Sequence, residues 1–141
     1  MRLSLKNLNT THAAVWLVTP ENLALAGAAM ELLWKERQGE RGGKHTGDRE
    51  GSCKFAALLA RALFGGRLAG NHDHVFVVLA NGSLLDLNEN QPDVAAFGSN
   101  AWARHDFVLA HPDYREALGS CMPRVERWVN WVKEAMPAAV M

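Results

Sequence analysis

Cys53, His74 and Asp86 are the residues of this chain whose types and order permit nucleophilic chemistry. Cys53 opens an expected helix, where unpaired amide hydrogens and the helix dipole stabilise a thiolate. It follows a glycine-rich stretch that lets a substrate come close. A thiol so placed attacks a carbonyl carbon when an imidazole is near enough to take its proton. The chain can supply that imidazole. A helix from Cys53 to Phe64 runs ~16 Å, and the extended return from Gly66 to His74 covers up to ~26 Å. His74 can therefore come back to the start of the helix. The competing assignment for Cys53 is a buried structural thiol, the commoner fate of a single cysteine.

The third member depends on the register of a hairpin. His74-Val-Phe-Val-Val-Leu79 is β-rich, and Ser83-Leu-Leu-Asp-Leu87 returns after a turn at Ala80-Asn81-Gly82. A two-residue Asn81-Gly82 turn sets Val77 against Asp86 and His74 against Glu89. A three-residue Ala80-Asn81-Gly82 loop sets Phe76 against Asp86 and His74 against Asn88, with both polar side chains on the histidine face. Asn-Gly suits the shorter turn, and a terminal left-handed glycine suits the longer. We expect the longer loop, because it leaves Val75, Val77, Leu79, Leu85 and Leu87 on one apolar face. In the other register the Asp86 carboxylate would be buried against Val77.

Gly51-Ser-Cys-Lys-Phe-Ala-Ala-Leu-Leu, then His74-Val-Phe-Val-Val, then Gly82-Ser-Leu-Leu-Asp-Leu resembles the core of the transglutaminase-like (papain-like) cysteine proteins. The matched stretch covers roughly residues 51–88. The resemblance implies an α+β domain with Cys53 as nucleophile, His74 as general base and acid, and Asp86 orienting the imidazole. It implies a peptidase, amidase or acyl transferase that needs no cofactor and acts on a peptide or protein substrate. The match departs from the family in a short span between Cys53 and His74, and in Phe76 where tryptophan is common. The one nameable oxyanion donor is the Cys53 backbone amide.

A rival chemistry uses the same residues. His72 and His74, two apart on a strand, share a face, and Cys53 can complete a zinc site. The preferred reading places no metal. His12, His45, His105 and His111 lack convincing partners and read as surface or locally bonded residues. Cys121 reads as packing. Gly43-Lys44-His45-Thr46 is not a phosphate loop, because Gln38 replaces the leading glycine and His45 separates lysine from threonine.

Several elements must position these groups. Thr19-Pro20-Glu21 starts a helix running to about Glu36. Residues 37–51 read as a glycine-rich loop that can serve as lid or substrate lip. The helix 53–64 is apolar nearly all round, so it is central. Ser52 can cap it, and Gly65-Gly66 can end it. Arg67-Leu68-Ala69 is a short strand before the histidine. Ala13 to Val18 reads as a strand or short helix, Asn88 to Asn100 as loop, and Trp102 to Ala110 as a third strand. Pro112 to Leu118 reads as a short helix. After Pro123, Val125, Trp128, Val129 and Val132 define a terminal amphipathic helix, with Trp128 a core anchor and Trp131 partly exposed.

Composition bounds the function. The 141 residues are 48% hydrophobic and 21% charged, with fifteen basic and fifteen acidic side chains. That suits one globular domain, residues 1–141. The balance predicts no net field for nucleic acid, and no apolar run reaches membrane-spanning length. Two cysteines and an N-terminus unlike a signal peptide suggest a cytoplasmic protein with free thiols. The expected fold is α+β: a central cysteine helix on a small antiparallel sheet, with helices before and after. The expected function is cysteine-dependent acyl hydrolysis or transfer on an amide or ester. The alternative is a non-catalytic interaction domain on the same scaffold, meeting a protein through its aromatic terminal helix or glycine-rich loop.

Overall fold

The computed structural model describes residues 11–40, 52–89, 95–96, 98–105 and 107–136. Its elements are α1 (Pro20–Glu40), α2 (Cys53–Phe64), β1 (Arg67–Gly70), β2 (Val75–Val78), β3 (Leu84–Leu85), a 3-10 turn (Gly98–Trp102), α3 (Phe107–Ala110) and α4 (Pro112–Ala135). The fold is α+β: a three-stranded antiparallel sheet in the order β1-β2-β3, with helices packed against it. Among the described residues no helix is long and apolar enough to cross a membrane.

The α2 helix is the centre of the molecule, because beyond its first turn every residue except Arg61 is apolar. Every residue from Ala56 to Phe64 is buried. One side meets β2, and another meets α4. Phe55 lies between Trp34 of α1 and Trp128 of α4, with ring centroids 5.6 and 5.4 Å away. Three helices are thereby pinned at one aromatic contact. The exit from α2 needs glycine. Gly65 and Gly66 have φ of 78° and 88°, and a β-carbon on Gly66 would collide with the Val78 carbonyl. The two glycines let the chain turn directly into β1.

The residues between Ala13 and Val18 form neither strand nor helix. Their backbone donors find partners on α2 instead. Val15 and Trp16 both donate to the Leu63 carbonyl, at 2.9 and 2.8 Å. His12 pairs with Gly66 in an isolated bridge, and Trp16 is buried edge-on against Phe64. Once those donors are satisfied locally, no ladder is required.

Thr19 caps α1 as expected, accepting from the Asn22 amide at 3.1 Å. The helix runs four residues past Glu36, into the segment read as loop. Its last residue, Glu40, forms an ion pair with Arg124 of α4 at 2.6 Å, which ties the final turn to the neighbouring helix. Of that proposed loop, residues 41–51 lie outside the described residues.

The segment Trp102–Ala110 is not a strand. Asn71 spends its side-chain amide on the carbonyls of Asn100 and Ala103, both at 3.0 Å. The His105 amide donates to the Gly70 carbonyl at 2.7 Å. These bonds fold the segment onto the end of β1 as a 3-10 turn followed by α3. Nor do Pro112–Leu118 and the terminal segment form two helices. One helix, α4, carries Pro123 inside it. An interior proline costs ~3 kcal/mol or more. The buried stripe Leu118, Cys121, Met122, Val125, Trp128, Val129 and Val132 crosses it without interruption, and that packing outweighs the penalty. Trp128 is buried and Trp131 is 40% exposed.

The hairpin takes the three-residue loop. Val77 pairs with Leu85 and Val78 with Leu84, Leu79 donates to Ser83 at 2.8 Å, and Gly82 is left-handed with φ of 87°. The two faces of β2 then separate. Val75, Val77 and Leu85 join the main core with Leu79 and Leu87 against it. Phe76 and Val78 form a second cluster with Ala69 and Trp102.

Candidate active site

The turn between β1 and β2 is built to hold His74. Asn71 accepts at Oδ1 from the Asp73 amide at 2.9 Å and from the His74 amide at 3.0 Å. A buried side chain therefore fixes the backbone of His74 before β2 begins. The imidazole stacks on Phe76, centroids 6.1 Å apart, and takes the edge of Trp102 at 6.0 Å. Only 1% of His74 is exposed.

The register carries Asp86 to the ring. Continuing the β2–β3 pairing by one residue sets Asp86 across from Phe76, on the histidine face. His74 Nε2 and Asp86 Oδ2 form a buried hydrogen bond. The other carboxylate oxygen, Oδ1, accepts from the Asn88 backbone amide at 2.8 Å. Asp86, not Asn88, is the residue that meets the imidazole. The Asn88 side chain turns away and donates to Ser52 Oγ at 2.7 Å. Ser52 thus departs from its expected role: it makes no side-chain capping bond to α2, because its hydroxyl is engaged across the hairpin.

Cys53 is the first residue of α2 and is partly exposed. Its thiol is near enough to the His74 side chain to favour the charged form of the ring. With Nε2 committed to Asp86, Nδ1 is the ring nitrogen left for the sulfur. The order is sulfur, imidazole, carboxylate. Burial disfavours the charged ring, but the hydrogen bonds to Asp86 and Cys53 outweigh it and raise His74 from 6.5 to about 9. The imidazolium is the favoured state at neutral pH, and it lies against a sulfur at a helix start.

The first turn of α4 walls the sulfur's side of the site. Lys54 places its ammonium 5.1 Å from the centre of the Tyr114 ring. Burial pushes the Tyr114 hydroxyl up from its ordinary value, and negative charge on Cys53 pushes it the same way. Tyr114 also lines a pocket of 280 Å³ with His72, Val108, His111 and Asp113. A larger groove of 660 Å³, between α1 and α4, is lined by Leu32, Arg124 and Trp131 among others and contains none of Cys53, His74 and Asp86.

Zinc binding by Cys53, His72 and His74 is not supported by the placement. Both histidines lie in the turn before β2, so strand alternation does not put them on one face. His72 is exposed and packs edge-on to Phe107 at 5.8 Å, while His74 is spent on Asp86. Among the described residues no group of three His, Cys, Asp or Glu side chains could hold a metal. Cys121 is buried, its thiol donates to the Ala117 carbonyl at 3.3 Å, and burial pushes that thiol up. His111 caps α4, accepting from the Asp113 amide at 3.2 Å. His105 stacks on Phe107, and His45 lies outside the described residues.

Sequence reasoning missed Asn71, Trp102 and Tyr114. Asn71 had a readable signal, since an Asn two and three residues before amides in a turn offers them its side-chain oxygen. Trp102 and Tyr114 had none, because their roles arise from segments packed far from them in sequence.

No family model, curated protein or solved structure matches the chain.

Proposed function

We propose that the protein is a cysteine-dependent acyl hydrolase or acyl transferase acting on an amide or ester bond. The observation that carries the reading is the His74 imidazole, buried between the Cys53 thiol and the Asp86 carboxylate and biased toward its charged form. In that state the thiolate attacks the carbonyl carbon, and negative charge passes to the carbonyl oxygen. The Cys53 backbone amide, at the start of α2, is the donor this reading assigns to that oxygen. The imidazolium then gives its proton to the departing nitrogen or oxygen, and a thioester remains on Cys53. Water or a second nucleophile loses its proton to the neutral imidazole as it attacks the thioester, and the thiolate leaves. Asp86 holds the ring and offsets its charge throughout. This scheme agrees with the resemblance to transglutaminase-like cysteine proteins and calls for no cofactor.

Alkylation tests the reading without a known substrate. Cys53 in the wild-type protein should react with iodoacetamide at pH 6 much faster than Cys53 in a His74→Ala variant, with peptide mapping to separate it from Cys121. Equal rates in the two proteins would show an unactivated thiol and leave the interaction-domain alternative. Cys53→Ser should keep the fold and abolish any acyl-transfer or hydrolytic activity found.

A further inference from the structure

The buried residue that joins the two ends of the site is Asn88. Its backbone amide holds the Asp86 carboxylate at 2.8 Å, and its side chain holds the Ser52 hydroxyl, next to Cys53, at 2.7 Å. It is wholly buried, and its own carbonyl oxygen, Oδ1, has no hydrogen-bond partner. An unpaired buried acceptor lowers stability, so stability alone does not explain an amide at this position. Geometry does.

A serine immediately before a helix ordinarily turns its oxygen onto the free amides of the first turn. Ser52 is so placed and does not do so. Its oxygen accepts from Asn88 instead. Two consequences follow. The amides at the start of α2 are not covered by the neighbouring side chain, so they are left to meet negative charge on sulfur or on a carbonyl oxygen. The residue before the nucleophile is also tied to the turn that orients the general base, and sulfur, imidazole and carboxylate are held as one unit.

We propose that Asn88 is a positioning residue: through Ser52 it sets the start of α2 against the Asp86 turn and keeps the Ser52 hydroxyl off the helix amides. The proposal rests on the reading of Cys53, His74 and Asp86 as the reactive unit. It gives the hairpin's end a role separate from carrying the carboxylate, because truncating the Asn88 side chain leaves the backbone bond to Asp86 in place.

The test is the pH profile of Cys53 alkylation by iodoacetamide in wild type, Asn88→Ala, Ser52→Ala and the double variant, with His74→Ala as reference. At pH 6 either single variant should react about tenfold or more slowly than wild type, a loss of the size that small misplacement produces. At high pH, where every thiol is ionised, the rates should converge. The double variant should lose no more than either single one, because both break the same bond. A residue that only supports the fold would lower the melting temperature and leave the profile unchanged, and that result overturns the proposal. So would additive losses in the double variant. If Asn88→Ala does not fold, Ser52→Ala breaks the tie between α2 and the Asp86 turn from its other end, and an unchanged profile there overturns the proposal. Failure of the underlying reading looks different: wild type itself would then match His74→Ala.

Discussion

Replacing Asp86 by Asn keeps the shape of the site and removes its buried negative charge, so the outcome can be worked from the ring it faces. His74 rises from 6.5 to about 9 in the folded protein, with burial opposing the charge and the hydrogen bonds to Asp86 and Cys53 favouring it. A rise of that size corresponds to about 3 kcal/mol at ~1.4 kcal/mol per tenfold change in proton affinity. The folded-state value lies above the unfolded one. The stabilisation is therefore fully present below about 6.5 and is lost as the pH climbs through about 9. In Asp86→Asn the burial penalty remains and the attraction does not, so the folded ring stays neutral and this pH dependence disappears. The assay is urea unfolding of wild type and variant at pH 6 and pH 9.5, both in a Cys53→Ser background to remove the thiol's share. The variant should be less stable by up to about 3 kcal/mol at pH 6, the full rise less the share that belongs to the thiol. The gap should shrink to ~1 kcal/mol at pH 9.5, where only a neutral hydrogen bond is at stake. Groups elsewhere titrate alike in both proteins and cancel. A gap of the same size at both pH values would refute the reasoning, because it would mean that no charge on His74 depends on Asp86.

Other substitutions separate the elements that hold the site. Gly82→Ala should cost only ~1–2 kcal/mol of unfolding free energy, the penalty for a left-handed backbone, since a β-carbon there meets open space. Gly66→Ala should cost several times more and loosen β1, because its β-carbon would strike the Val78 carbonyl; equal costs at the two glycines would contradict the packing. Trp128→Ala should lose ~3–5 kcal/mol as a core truncation, whereas Trp131→Ala should stay within about 0.5 kcal/mol, both read by denaturant melts.

The parts of the site that were legible in the sequence are those set by local rules. Cys53 at a helix start, the glycine pair that ends the helix, and the hairpin register follow from capping, φ preference and strand alternation, and each concerns neighbours within a few residues. The α+β class follows from the same elements. What escaped was decided by distant contacts. Residues 102–110 carry enough apolar and aromatic side chains to read as a strand, yet Asn71 and Gly70 claim the backbone groups of Ala103 and His105, and the segment leads from the 3-10 turn into α3. Pro123 reads as a break, yet the stripe on either side of it is buried and the helix continues. Ser52 reads as a cap until Asn88, from the far end of the hairpin, takes its hydroxyl. In each case a bond or packing from elsewhere in the fold overrode a sound local preference.

The same separation of faces explains how a buried imidazole can favour its charged form. The sheet turns Val75 and Val77 toward α2 and leaves Phe76 on the other face with Trp102. Those two rings, 5.3 Å apart, close over His74 from one side. Water is thereby kept from the bond between His74 and Asp86, which strengthens the attraction that holds the proton. The enclosure is lopsided. Asp86 and His74 are buried, while Cys53 is partly exposed, beside Lys54 and Tyr114. Under the proposed reading, the site is walled in at the carboxylate end and open at the sulfur, so a substrate would meet Cys53 and not the buried pair behind it.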